Sequence, residues 1–91
     1  MKMRELFSDD SKWTQGAFAR NKQGVEVDVG NPDAVCFCFQ GAMRKCYGKN
    51  SYKIIDKLDN SRGMLFSITA WNDAKERTFE DIKNLVEKLD I

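Results

Sequence analysis

The stretch Asn31–Gly48 reads NPDAVCFCFQGAMRKCYG and holds all three cysteines of the chain. Asn31 suits a helix N-cap, because its side-chain oxygen can accept from the free N–H groups of a first turn. Pro32 suits the first helical position, where no backbone N–H is needed. Gly48 can take the left-handed conformation that ends a helix, and Arg44 and Lys45 fall in the last turns, where the negative end favours cations. On a helical wheel Val35, Cys38, Phe39, Ala42 and Cys46 share one face, with Phe37, Gln40 and Arg44 on the other. The reading is a central helix over Pro32–Tyr47, on whose apolar face the rest of the chain packs.

Outward from that helix, Val25–Val29 (VEVDV) alternates strictly, with valines on one face and Glu26 and Asp28 on the other. This pattern predicts a half-buried strand. With Trp13–Arg20 across the link Asn21-Lys22-Gln23-Gly24 it predicts a β-hairpin. On the other side, Ser51 can cap a short helix to about Leu58, with Ile54, Ile55 and Leu58 inward. Asp59–Gly63 is a loop. Met64–Trp71 (MLFSITAW) is too short for its period to decide, although Phe66, Ile68 and Thr69 favour a strand or an extended segment. Asn72-Asp73 turns the chain. Thr78, with Asp81 at the capping-box distance, opens a last helix whose stripe is Phe79, Ile82, Leu85, Val86 and Leu89. Residues 2–8 offer Met3, Leu6 and Phe7 from one or two helical turns. The sum is an α+β fold, a small single domain over residues 1–91 with three to four helices packed on a β-hairpin.

Composition agrees with one domain. Ninety-one residues leave no room for two cores, and 42% apolar residues with two Trp and six Phe suit a compact fold. There is no internal repeat and no low-complexity tract. Fifteen basic against fourteen acidic side chains give a net charge of +1, which makes no global case for nucleic acid or an anionic membrane. No uncharged run is long enough to span a bilayer. The N-terminal MKMRELFSDD meets charge too soon to hold a signal-peptide core. Three cysteines, an odd number, read as reduced thiols in a cytoplasmic protein.

Three ordered motifs carry a resemblance: Trp13–Arg20 (WTQGAFAR); Ala34-Val35-Cys36 with Cys38 and Gly41-Ala42; and Trp71-Asn72-Asp73 with Arg77-Thr78. They resemble the small bacterial and phage proteins grouped as domain-of-unknown-function family 6197, in which WTQGAxAR, AVCxCxxGA and WND…RT recur in this order. The resemblance covers nearly the whole chain. This chain has a shorter N-terminus and lacks the family's usual proline between WND and RT, so a differently shaped loop is expected at Ala74-Lys75-Glu76. The resemblance implies a cytoplasmic globular protein and brings no activity with it.

The chain has no histidine. Ser-His and Cys-His nucleophile pairs and the commonest metal ligand are therefore out of reach, and enzyme readings lose ground. On a helix Cys36 and Cys38 point about 200° apart, so with Cys46 they do not converge on a zinc ion. Their expected role is as buried small apolar side chains. Cys36, near the expected helix start, is the one thiol whose pKa the dipole would lower. Gln15, Arg20, Trp71, Asn72 and Asp73 are the candidate ligand-binding set, with Trp71 as an indole wall beside polar groups. Against this stand ordinary roles: Trp71 as a core anchor and Asn72-Asp73 as a turn.

Arg44, Lys45, Lys49, Lys53 and Lys57 form a basic cluster, opposed only by Asp56. A solvated face is the simpler reading, because no phosphate loop or nucleic-acid motif accompanies it. The alternative is a phosphate or nucleic-acid binder with Phe37 and Tyr47 stacking on bases. The leading expectation is a binding or interaction module, for a small polar ligand or a partner protein, without catalysis. A small enzyme using Asp73 or Cys36 is its rival. Nothing calls for a cofactor or metal, and the size permits a homo-oligomer.

Overall fold

The computed structural model describes residues 1–51, 53–54 and 68–91. In chain order these form α1 (Met3–Leu6), a 3-10 turn (Asp10–Lys12), β1 (Ala19–Asn21), β2 (Ala34–Phe37), α2 (Phe39–Tyr47), a second 3-10 turn (Gly48–Asn50), α3 (Ile68–Asn72) and α4 (Phe79–Leu89). This is a small α+β domain with helices packed around a two-stranded antiparallel hairpin.

The expected central helix starts seven residues late. Asn31 does act as a cap, but of a turn: its Oδ1 accepts from the Asp33 N–H at 2.8 Å, and its carbonyl accepts from Ala34 N–H at 3.0 Å. Pro32 thereby takes the second position of a β-turn, which its fixed φ suits equally well. Ala34–Phe37 then runs as a strand, and the helix opens on Cys38, whose Sγ accepts from the Gly41 N–H at 3.3 Å. At the far end Arg44 and Lys45 do lie in the last turn and Gly48 has a positive φ of 51°, but its ψ of −117° is not the left-handed helical conformation expected there.

The expected hairpin shrinks to one bridge, and β1 takes its longer pairing from another segment. Ala19 pairs with Phe37, Arg20 with Cys36 and Asn21 with Ala34, with an irregularity between Arg20 and Asn21. Val25–Val29 is no regular strand. It meets β1 through one bridge, Arg20 to Glu26, flanked by hydrogen bonds from Asn21 N–H to Val25 O (2.9 Å) and from Val27 N–H to Ala19 O (3.1 Å). On its other side β2 meets Trp13 in a parallel bridge, with Thr14 N–H on Phe37 O at 3.0 Å.

Gly41 explains how α2 lies so close to this hairpin. A Cβ there would fall 2.0 Å from the Phe18 carbonyl oxygen, so only glycine fits. The same carbonyl accepts from Cys38 N–H at 3.2 Å.

The core lies between the hairpin, α2 and the terminal helices. Met3, Phe39, Ala42 and Ile82 are fully buried, and Phe39 meets Trp71 edge-on with ring centroids 6.1 Å apart. The last helix matches its sequence reading closely. Thr78 and Asp81 form the reciprocal capping box, and Ile82, Leu85 and Val86 face inward. The ambiguous stretch resolves as helix from Ile68 onward; its residues 64–67, the Asp59–Gly63 loop and most of the expected Ser51–Leu58 helix lie outside the described residues. Ser51, Lys53 and Ile54 are helical, and Ile54 is buried as expected. Among the described residues no helix is long and apolar enough to cross a membrane.

Candidate functional site

Asn72 is the centre of the arrangement. It is the one buried polar side chain among the described residues, at 0% exposure, and every polar atom of its amide has a partner. Its Oδ1 accepts from Trp13 Nε1 (2.8 Å) and from Phe39 N–H (3.0 Å). Its Nδ2 donates to Thr14 O (3.2 Å) and to Asp73 Oδ1 (2.9 Å). One amide thus ties the first motif to the start of α2 and to the third motif. A buried polar group with all its bonds made both rigidifies and specifies a packing.

Around it the other predicted residues do converge. Gln15 Nε2 donates to Asn72 O (2.9 Å) and Ala74 O (3.0 Å), meeting the need for a partner that its place in an apolar run implies. Gly16 N–H donates to Asp73 Oδ1 at 3.1 Å. Arg20 sends its guanidinium to Thr14 Oγ1, Gly24 O and Gln15 O, each at 3.1 Å, and so braces the loop 14–16 from behind. Trp71 is a core anchor. Arg77 lies 4.2 Å from the centre of its ring, donates through Nε to Trp71 O at 2.8 Å, and reaches Asp81 at 3.7 Å. The WND…RT pattern is thereby read as one brace from α3 to the start of α4.

A small cavity of about 160 Å³ opens beside this network, lined by Gly16, Ala17, Phe18, Glu26, Cys38, Thr69 and Asp73. Of the sequence candidates only Asp73 faces it; Gln15, Arg20, Trp71 and Asn72 stand behind it as supports. Asp73 Oδ1 is held by the Gly16 and Asn72 donors, while no described residue gives its Oδ2 a hydrogen bond or ion pair. Thr69 is fixed by donating to Gln40 Oε1 at 2.6 Å. Phe18, Glu26, Thr69 and Cys38 were not legible as site residues, because the close approach of α2 to the Phe18 carbonyl that brings them together has no signal in sequence spacing.

The thiols do not gather. Cys36 lies within β2, its Sγ 3.9 Å from Arg20 O, so the helix-dipole argument for it has no basis in the fold. Cys38 instead occupies the N-cap, where burial raises its pKa, and burial raises that of Cys46 as well. Among the described residues no group of three or more Cys, Asp or Glu is placed to hold a metal ion. Of the basic cluster, Arg44 sits 4.7 Å from the centre of the Phe18 ring, while Lys45, Lys49 and Lys53 are exposed and Lys57 lies outside the described residues. Phe37 is 3% exposed and Tyr47 accepts from Met3 N–H through its hydroxyl at 3.4 Å, so Phe37 is not available to stack on a base.

No curated protein and no solved structure matches the chain. A protein-family model described as a family of unknown function (DUF6197) matches residues 1–89.

Proposed function

Since the chain belongs to this family of unknown function, we propose from the geometry that it is a binding module without catalysis, and that the cavity at Asp73 receives a small polar ligand through a hydrogen-bond donor. The observation that carries this reading is the asymmetry of the Asp73 carboxylate. Two donors from the scaffold fix one oxygen, and the other is left unpartnered by the described residues, on a residue that lines the cavity. Glu26 adds a second carboxylate to the same lining, and Ala17, Phe18 and Cys38 supply apolar walls. Such a lining favours a cationic donor, of which a primary alkylammonium is the simplest. A pre-oriented acceptor costs little to bring into position on binding, which is why a fixed carboxylate recognises better than a free one.

The test is a titration of the nitrogen-15-labelled chain with n-butylammonium, with butyrate as the matched anion. The expected result is a saturable shift of the Gly16 and Asp73 amides with the amine alone. Asp73→Asn should weaken this at least about tenfold. The fold should survive, because an amide oxygen at position 73 can still accept from Gly16 and Asn72. Shifts of equal size with butyrate, or none with the amine, would remove the reading.

A further inference from the structure

Among the described residues, none covers the outer edge of the segment Val25–Val29. In the Arg20–Glu26 bridge, Val25 O and Val27 N–H are the groups bonded to β1. Alternation along an extended chain then turns the N–H and C=O of Glu26 and the N–H of Asp28 the other way. None of these has a backbone partner among the described residues. Alongside runs a groove of about 810 Å³ bordered by Phe18, Glu26, Val27, Asp28, Val29 and Arg44, together with Asn31 at its end. Two of the side chains at this edge are apolar and exposed, Val25 at 57% and Phe18 at 37%.

We propose that this edge docks an extended peptide segment of a partner protein, carrying Lys or Arg at alternate positions, by strand addition. Charge selects the occupant. Glu26 and Asp28 enter no ion pair with a described residue, whereas Arg44, the cation of the groove, is already seated on the Phe18 ring. Among the described residues the groove therefore presents two carboxylates without an ion-pair partner against one guanidinium, a net acidic lining, to an incoming strand. The same charges tell against a second copy of this chain, since antiparallel pairing of two such edges sets Glu26 and Asp28 against each other. Valines alternating with the acids give the apolar residues of a basic, alternating peptide a surface to cover. The groove and the Asp73 cavity share Phe18 and Glu26, so this inference extends the proposed binding role without needing the cavity to be filled.

The experiment is selection of random octapeptides, displayed on phage, against the immobilised full chain. Synthetic versions of the enriched peptides are then titrated into the labelled protein. The expected outcome is enrichment of peptides alternating Lys or Arg with apolar residues, with slowed hydrogen exchange at the Glu26 and Asp28 amides on binding. Asp28→Lys, which lies in the groove and not in the cavity, should weaken binding at least about tenfold. Backbone N-methylation at alternate peptide positions should abolish it. Asp73→Asn separates the two proposals: peptide binding that survives it upholds the groove whatever the amine titration gives. No enrichment, enrichment of neutral or acidic peptides, undiminished binding to Asp28→Lys, or a dimer of the chain protecting the same amides would each overturn the inference.

Discussion

Asn72→Asp keeps the size of the side chain but exchanges a donor for an acceptor. The new oxygen would face Thr14 O and Asp73 Oδ1, both acceptors, in a fully buried position. Burial and the neighbouring carboxylate both favour the protonated form, so the folded pKa of this carboxyl rises above its unfolded value of about 3.9. The sign follows: the variant is least impaired below about pH 4 and loses stability as pH rises through the raised folded pKa. At neutral pH the expected loss is about 3–5 kcal/mol, the cost of leaving a buried charge uncompensated. Urea unfolding at pH 4 and pH 7 checks this, and a pH-independent loss would show that ionisation of the buried carboxyl is not what costs the stability. Sequence could place an Asn at this point in a turn. That the residue is buried and fully bonded depends on Trp13 and Phe39, which are distant in sequence.

At the level of elements, α4 is the one whose rules agree with each other. Its capping box is closed on both sides, Thr78 N–H to Asp81 at 3.1 Å and Asp81 N–H to Thr78 Oγ1 at 3.3 Å. Thr78→Ala should therefore cost about 1 kcal/mol, read as a lowered urea midpoint with an unchanged slope. A change in slope instead would point to partial unfolding. The same element was legible in the sequence because cap, box and a three-turn apolar stripe all specify one register. The start of α2 was not. Asn and Pro serve a β-turn as well as they serve a helix, four residues of strand are too few to reveal a period of two, and cysteine is an unusual cap. Alternation pointed to Val25–Val29, which gives β1 one bridge; the longer pairing with Ala34–Phe37 was not readable. Val25–Val29 has the better strand pattern, yet it makes a single bridge to one edge of β1, while Ala34–Phe37, which leads into the buried Phe37, Cys38 and Phe39, pairs along the other. The site was half readable: the motif residues named its supports, and only Asp73 among them lines the cavity.

Across the whole molecule, burial raises the pKa of Cys38, Cys46 and Tyr47 above their ordinary values, with desolvation the leading cause for each. The unfolded chain therefore gives up these protons first, and stability is lost as pH rises beyond the ordinary thiol range of about 8.5. Urea midpoints should fall between pH 8 and pH 10, and Cys38→Ala should make that decline shallower. A midpoint that holds steady would mean that the thiols are more solvated than their packing implies. The side chain of Asn72 reaches partners 33 to 59 positions away along the chain. Closing loops of that length is entropically unrewarded until most of the surroundings are in place, so this knot is expected to be set late, like a keystone after its arch. Asn72→Ala should consequently hasten unfolding in stopped-flow measurements while the refolding limb stays nearly where it was. A slowed refolding limb would make the knot part of the nucleus. Set late, it governs how long the native state lasts rather than how fast it is reached.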